Sequence, residues 1–373
     1  MRIAFVYPYL SRISGSRSPL SIASALSMDN EVDIFAYSVR KDLMDKINKI
    51  TGNAHLNYHK KIDAPRFGIF FALRYQVFRG IDRRIFHSIL ERHRINPYDL
   101  IIVGSNEGRN IGQYFRTEKL AHRPVTATIL MELHDHGFHL FYERSLKSIR
   151  YIAWIFYPFV NLVERWRFSN FDLIFSNSSW TATISRYLYG LDISASLPTL
   201  AQEYLPDDEN SEGDSYIAVP TVSVNEEHKK MIERLSDEGI KLICFGPRKV
   251  RAREYRGFVE DDERLKIMKN AHATLFLFDY EALGLIPLES LSLGTPVITI
   301  PKEGPYEELK DCKDVYFARS YDTIKSVITQ LIKTYKDEET VTRCKQYASR
   351  FSPESSMAKI IESYNAKIGE RCS

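Results

Sequence analysis

Four cysteines, Cys244, Cys312, Cys344 and Cys372, are scattered through the 373 residues. So few thiols exclude a disulfide framework, and their spacing excludes a zinc ribbon, which leaves a reducing, cytoplasmic setting as the expectation. Long hydrophobic runs are also lacking. The longest, Tyr151 to Val163, has 13 residues, short of the roughly 20 that cross a bilayer. The opening run Met1-Arg2-Ile3-Ala4-Phe5-Val6-Tyr7 is too short for a signal h-region and is followed by no small-residue cleavage site. With 17 Gly and 15 Pro the chain is neither collagen-like nor low-complexity, and 27% charged with 12% aromatic residues exclude a disordered chain. A large net charge is missing too, at 51 Lys+Arg against 48 Asp+Glu.

That near-neutral total conceals an asymmetry. Residues 1–200 carry 26 basic and 17 acidic side chains, whereas residues 201–373 carry 25 and 31. Halves of opposite sign imply different jobs or different partners. At roughly 100–200 residues per domain, the length allows two or three domains with proper cores.

Short β-rich apolar runs alternate with helix-length segments. In the first half the expected strands are Arg2–Tyr7, Glu31–Tyr37, Asp99–Val103, Thr126–Met131 and Asp172–Ser176, with helices such as Ser18–Met28 and Arg83–His93 between them. Residues 207–214 hold five acids in eight positions and read as a solvated linker. Beyond it come strands at Tyr216–Val219, Lys241–Phe245, Ala273–Phe278 and Val297–Ile300. Helices are expected at Glu226–Glu238, Asp261–Ala271 and Leu285–Leu293, and through most of Asp322–Lys367. Pro287 suits the first turn of the Leu285 helix and Gly294 its left-handed stop. Continuous apolar strands separated by helices predict parallel sheets covered on both faces. The fold class is therefore α/β, with two doubly wound parallel-sheet, Rossmann-like domains facing a cleft where ligands bind at strand carboxyl ends. The expected division is 1–206, the acidic linker 207–214, 215–352, and a C-terminal helix at 353–373 packing back on the first domain.

The most informative stretch runs from Glu254-Tyr255-Arg256-Gly257-Phe258-Val259, through Ala273–Asp279, to Glu281-Ala282-Leu283-Gly284-Leu285-Ile286-Pro287-Leu288-Glu289 and Gly294-Thr295-Pro296-Val297. A buried strand ends at Asp279, and a glycine turn then leads into a helix. The backbone N–H groups of such a turn and helix start form an anion site. Glu281 before the turn and Glu289 within the helix could each accept hydrogen bonds from sugar hydroxyls, or both could be ordinary solvated charges. The segment resembles the C-terminal domain of retaining, GT-B-fold glycosyltransferases of family 4, whose pattern is an R-G-F/Y segment, a helix and strand, E-G-F-G-L-x-x-x-E, then G-T-P-V. That resemblance implies a sugar-transferring enzyme. It implies that Glu289 binds the ribose hydroxyls of a nucleotide-sugar donor and that Glu281 contacts donor-sugar hydroxyls. The N–H groups of Leu283, Gly284 and Leu285 would lie near the sugar and diphosphate. No cofactor or metal is implied, because backbone amides and basic side chains neutralise the leaving diphosphate.

In the first half, Ser14-Gly15-Ser16-Arg17 stands where the family has a glycine-rich loop approaching the diphosphate, and Ser178-Ser179-Trp180 resembles a later segment of its N-terminal domain. Gly15 then allows close backbone approach, or is a plain turn. Glu132-Leu133-His134-Asp135-His136 admits three readings. Alternation puts Glu132, His134 and His136 on one face, as metal ligands with His139. The family reading places His134 beside the donor sugar, and the third reading is a structural histidine.

The family usually has an Arg and a Lys after the first strand of its second domain to clamp the diphosphate, and Val219–Glu227 contains neither. Arg248, Lys249 and Arg251 follow the next strand and could substitute, or form a solvated loop. From Lys60 to Arg94 nine basic residues (Lys60, Lys61, Arg66, Arg74, Arg79, Arg83, Arg84, Arg92, Arg94) stand against Asp63, Asp82 and Glu91, with aromatics interleaved. Two readings compete: contact with an anionic membrane surface, aided by Trp154 and Phe156, or a core helix with snorkelling arginines. The acceptor implied by the resemblance is a glycan or lipid-linked hydroxyl. Nucleic acid is not an expected partner, since no nucleic-acid motif accompanies the localised patch. The competing functional classes are a non-catalytic nucleotide-sugar-binding scaffold and a metal-dependent hydrolase at His134.

Overall fold

The computed structural model describes residues 1–10, 13–62, 71–105, 108–131, 158–159, 161–201, 216–334 and 336–372. The chain forms two compact units, one of Met1–Ala201 together with Pro353–Ser373, the other of Gln202–Ser352.

The first unit holds an eight-stranded sheet made of β1 (Arg2–Val6), β2 (Tyr9–Leu10), β3 (Glu31–Arg40), β4 (His55–Ile62), β5 (Leu100–Val103), β6 (Val125–Leu130), β7 (Leu173–Ser176) and β8 (Ala195–Ser196). β1 and then β2 pair with β3 along one edge, β4 pairs along the other, and β5 to β8 extend from β1 in chain order. Every pairing is parallel. The side-chain period of two divides each strand between two cores. Ile3 and Phe5 pack with Leu20, Leu26 and Ile47 on one face, while Ala4 and Val6 pack with Ile85, Ile89 and Phe115 on the other. The helix Pro353–Cys372 closes the first of these cores. Ile360 is fully buried there, Ser356 Oγ lies 2.7 Å from Thr199 Oγ1, and Arg371 pairs with Asp172 at 3.0 Å.

The second unit holds a six-stranded, all-parallel sheet of β9 (Ile217–Pro220), β10 (Leu242–Phe245), β11 (Glu254–Tyr255), β12 (Ala273–Phe276), β13 (Val297–Thr299) and β14 (Val315–Phe317). Its spatial order is β11-β10-β9-β12-β13-β14. β9 and β10 are buried along their whole length, as strands covered by helices on both faces must be. Three helices, Glu226–Asp237, Tyr321–Lys333 and Glu338–Ala348, start with side-chain caps: Asn225 accepts from the His228 N–H, Ser320 from Thr323 and Asp337 from Thr340.

Hydrophobic pattern alone places the main strands but not the marginal ones. β4, β8, β11 and β14 are unexpected, because they are short or carry polar residues that only sheet pairing justifies. Helices also start earlier than their apolar pattern suggests, with Ile13–Leu26 for Ser18–Met28 and Phe71–Ile95 for Arg83–His93. Among the described residues, no helix is long and apolar enough to cross a membrane.

Ile360→Ala removes a fully buried side chain and should destabilise the first unit by about 2–5 kcal/mol in denaturant unfolding. Glu362→Ala, on the same helix and away from its fully buried positions, should be near neutral. Lys336 donates from Nζ to the Lys269 carbonyl at 2.6 Å and to Thr295 Oγ1 at 3.0 Å, and burial pushes its pKa down to about 8. Between pH 8 and the ordinary 10.5, the unfolded chain holds a proton that the folded chain has released, so this group makes stability rise with pH across that window. The difference in unfolding free energy between the wild type and Lys336→Met should therefore change by up to about 3 kcal/mol across it.

Candidate active site

In the second sheet the chain order runs one way from β9 through β10 to β11 and the other way from β12 through β13 to β14. The crevice outside the carboxyl ends of β9 and β12 is thus a topological switch point, the place where open α/β sheets bind ligands. Two segments line it and are tied together. The Asp279 N–H donates to the Ser223 carbonyl at 2.8 Å, and Asn225 Nδ2 donates to Asp279 Oδ1 at 3.3 Å. His228 sits in the first turn of the helix Glu226–Asp237, and burial holds its pKa below the ordinary histidine value. Its Nδ1 has no hydrogen-bond partner among the described residues.

After β12 the chain turns through Glu281–Gly284 into the helix Leu285–Ser292. Gly284 takes φ +90°, where a Cβ would also lie 2.9 Å from Pro305 Cγ. Its N–H donates to Glu281 Oε1 at 3.2 Å, so the Glu281 carboxylate closes its own turn. The Leu285 and Ile286 N–H groups stand at the helix start, where no intrahelical acceptor exists, and Pro287 has no N–H to satisfy. Anions are favoured at such a terminus.

The start of the helix Glu303–Leu309, which follows β13, holds this turn from the side. The Glu281 N–H donates to Glu303 Oε2 at 2.8 Å, and the Glu281 carbonyl accepts from the Gly304 N–H at 3.2 Å. A Cβ at Gly304 would fall 2.0 Å from the Ala282 carbonyl oxygen, so only glycine permits the contact. Glu303 has φ +55° and is the one non-glycine residue with positive φ among the described residues. Lys302 Nζ lies 2.9 Å from Glu303 Oε1 and donates to the Asp279 carbonyl.

Glu289 is buried, with its carboxylate held by both terminal nitrogens of Arg264, which also lies 3.7 Å from Asp261. A carboxylate has about four lone-pair sites, so two arginine contacts leave capacity for hydroxyl donors. Much of the surrounding motif is scaffold. Ser290 Oγ donates to Thr274 Oγ1 at 2.7 Å, and fully buried Thr295 donates to the Met268 carbonyl at 2.9 Å. Those bonds pin the helix carrying Glu289 to β12 and to the helix Asp261–Asn270.

Other residues singled out from the sequence are placed as follows. Arg248 is paired with Glu226, at the first position of the helix that Asn225 caps, and Lys249 is exposed. Arg251 is turned toward Asp237 at the far end of that helix, with bonds of 2.5 and 2.8 Å. Gly15 lies in the first turn of Ile13–Leu26, a helix where the sequence suggested a loop. His134, with Glu132, His136 and His139, lies outside the described residues, as do Trp154 and Phe156. Among the described residues no cluster of His, Cys, Asp and Glu could hold a metal ion. From Gly80 onward, the basic helix Phe71–Ile95 buries Ile81, Ile85, Phe86, Ile89 and Leu90 in the core and exposes Arg83, Arg84, Arg92 and Arg94. Sequence reasoning missed Lys302, Glu303, Arg264 and Asn225. Only the Pro301–Pro305 cluster of turn formers marked any of them.

Residues 253–351 match the family model of Glycosyl transferases group 1. No curated protein sequence matches the chain significantly. Among solved structures, sucrose-phosphate synthase from Thermosynechococcus elongatus superposes with TM-score 0.68 at 12% identity, covering 99% of this chain and 100% of that one. HepE of Anabaena in complex with UDP and glucose gives 0.64 at 13% identity, over 98% and 100%. The N-terminal domain of Candida albicans trehalose-6-phosphate phosphatase gives 0.65 at 13%, over 98% and 97%. The chain thus has the fold of the GT-B glycosyltransferases, two parallel-sheet α/β domains, and its second unit carries the segment that matches the Glycosyl transferases group 1 model.

Proposed function

We propose that this chain is a glycosyltransferase that moves a sugar from a nucleotide-sugar donor to a hydroxyl acceptor, glycan or lipid-linked, with retention of anomeric configuration. One observation carries the reading: Glu281, a glycine turn and a helix start converge at the switch point, with Glu289 further along the same helix. The group 1 family match over this segment supports it, as does the UDP and glucose bound by the structurally similar HepE.

In this proposal the diphosphate rests on the Leu283 and Leu285 N–H groups on either side of Gly284, Glu289 takes ribose hydroxyls, and Glu281 takes donor-sugar hydroxyls. The bond from the anomeric carbon to the diphosphate oxygen breaks, and its electron pair stays on that oxygen. The acceptor oxygen bonds to the same face of the carbon and yields its proton to the departing phosphate oxygen. The products are a glycoside and a nucleoside diphosphate. Glu281 positions and does not attack, so no protein nucleophile is used. Arg248 and Lys249, on the β10 side of the crevice, supply positive charge in place of the missing Arg/Lys pair.

A second reading, a catalytically degenerate scaffold that binds nucleotide sugar, is favoured by the absence of that pair from Val219–Glu227. Transfer or donor hydrolysis by the purified chain separates the two. We expect turnover with the product anomer matching the donor by NMR, and Glu281→Ala should lower kcat/KM by at least about 100-fold. Binding without turnover across an acceptor screen would sink the enzyme reading. The exposed cations of residues 60–94 are proposed to meet an anionic membrane surface, giving a peripheral, cytoplasmic-face location. Co-sedimentation should then favour vesicles containing anionic lipid, and Arg83→Glu with Arg84→Glu should abolish the preference.

A further inference from the structure

The site proposed above must receive a leaving group of charge about −2, and electrostatic stabilisation of such a group is often the largest catalytic contribution. Carboxylates surround it. Asp279 and Glu281 belong to the turn, and Glu303 bonds to its backbone. Without a cation at this rim, a diphosphate would meet three negative groups.

Lys302 supplies that cation. It follows β13, and its Nζ sits between the Asp279 carbonyl and Glu303 Oε1. Its side chain is 47% exposed, and the ammonium is held by these two oxygens. An ammonium has three donors, and these two oxygens engage two of them. The holding is specific. Glu303 keeps a positive φ that glutamate seldom adopts, and its two carboxylate oxygens divide between the Glu281 N–H and the Lys302 ammonium. Gly304 at the start of the helix Glu303–Leu309 packs its backbone directly against Ala282. The neighbouring His228 is buried with a lowered pKa, so it stays neutral and does not compete for an anion near neutral pH. Arg248, paired with Glu226, occupies the opposite side of the crevice.

We propose that Lys302 is a diphosphate-binding residue, the cation on the β13 side that partners Arg248 on the β10 side, with Glu303 holding it ready and fixing the Glu281 turn. The proposal rests on the nucleotide-sugar reading of this site. It makes positive charge available from two separate loops, where the related family draws it from one.

Isothermal titration of the full chain with UDP, GDP and UMP tests it. Lys302→Ala should weaken nucleoside diphosphate binding about tenfold or more while changing UMP affinity less, because the charge meets the second phosphate. Lys302→Arg should restore most of the loss. Lys302→Met keeps the apolar stem, and equal thermal midpoints for it and the wild type secure the comparison against misfolding. If both Lys302→Ala and Lys302→Met bind UDP and GDP as tightly as the wild type, the proposal is wrong. It is equally wrong if UMP binding falls in parallel. A wild-type chain that binds no nucleoside diphosphate overturns instead the reading of the site on which the proposal stands.

Discussion

A carbonyl oxygen occupies the space where a side chain at position 304 would have to go. Because Gly304 has none, the first turn of the helix Glu303–Leu309 can press its backbone against Ala282, and the rest of the candidate site is organised by that contact. It brings the Glu303 carboxylate to the Glu281 N–H and places Lys302 beside the Asp279 carbonyl. The Glu281 carboxylate then folds back onto the Gly284 N–H, which fixes how the chain enters the helix Leu285–Ser292. Any substitution with a Cβ at 304 would separate these segments, so the geometry of a turn on one strand is set by a residue on the next. A non-glycine residue at φ +55° beside this contact is the strain that such tight apposition demands.

Beneath the turn lies a sheet buried on both faces, and burial of its apolar strands provides the rigidity on which a site depends. Several residues of the signature segment serve this scaffold. Thr295 and Ser290 are fully buried and hydrogen-bond to Met268 and Thr274, which locks the helix bearing Glu289. Glu289 itself is oriented by Arg264, so a carboxylate proposed to meet a sugar is already directed by a charge-assisted bond.

Charge around the crevice follows one pattern on both sides. Arg248 is held by Glu226, and Lys302 by Glu303. The Arg248–Glu226 pair is solvated and costs little to redirect, since exposed ion pairs contribute at most about 1 kcal/mol, whereas the Glu303 carboxylate is nearly buried and holds Lys302 more firmly. Such pairs keep positive charge near the proposed anion site while balancing it with carboxylates.

The architecture was legible in the sequence because it depends on local pattern. Short apolar runs such as Ile3–Val6, Leu100–Val103 and Ile217–Pro220 can be satisfied only inside a covered parallel sheet. Pro287 and Gly294 punctuate the helix that follows the turn. The Glu281-to-Glu289 spacing was visible for the same reason, since eight positions along one turn and helix are a property of neighbouring residues. Polar or very short strands such as β4 and β11 were not visible, because their partners, not their composition, make them strands. The roles of Lys302, Glu303 and Arg264 were equally hidden. Glu303 meets Glu281 from 22 residues away and Arg264 meets Glu289 from 25, and a charged residue at a loop or helix surface looks solvated until folding supplies its partner. Local hydrophobic periodicity thus determined the fold and the place of the turn, while the contacts that shape and charge the site were decided by tertiary structure, because they join residues whose sequence separation leaves no periodic trace.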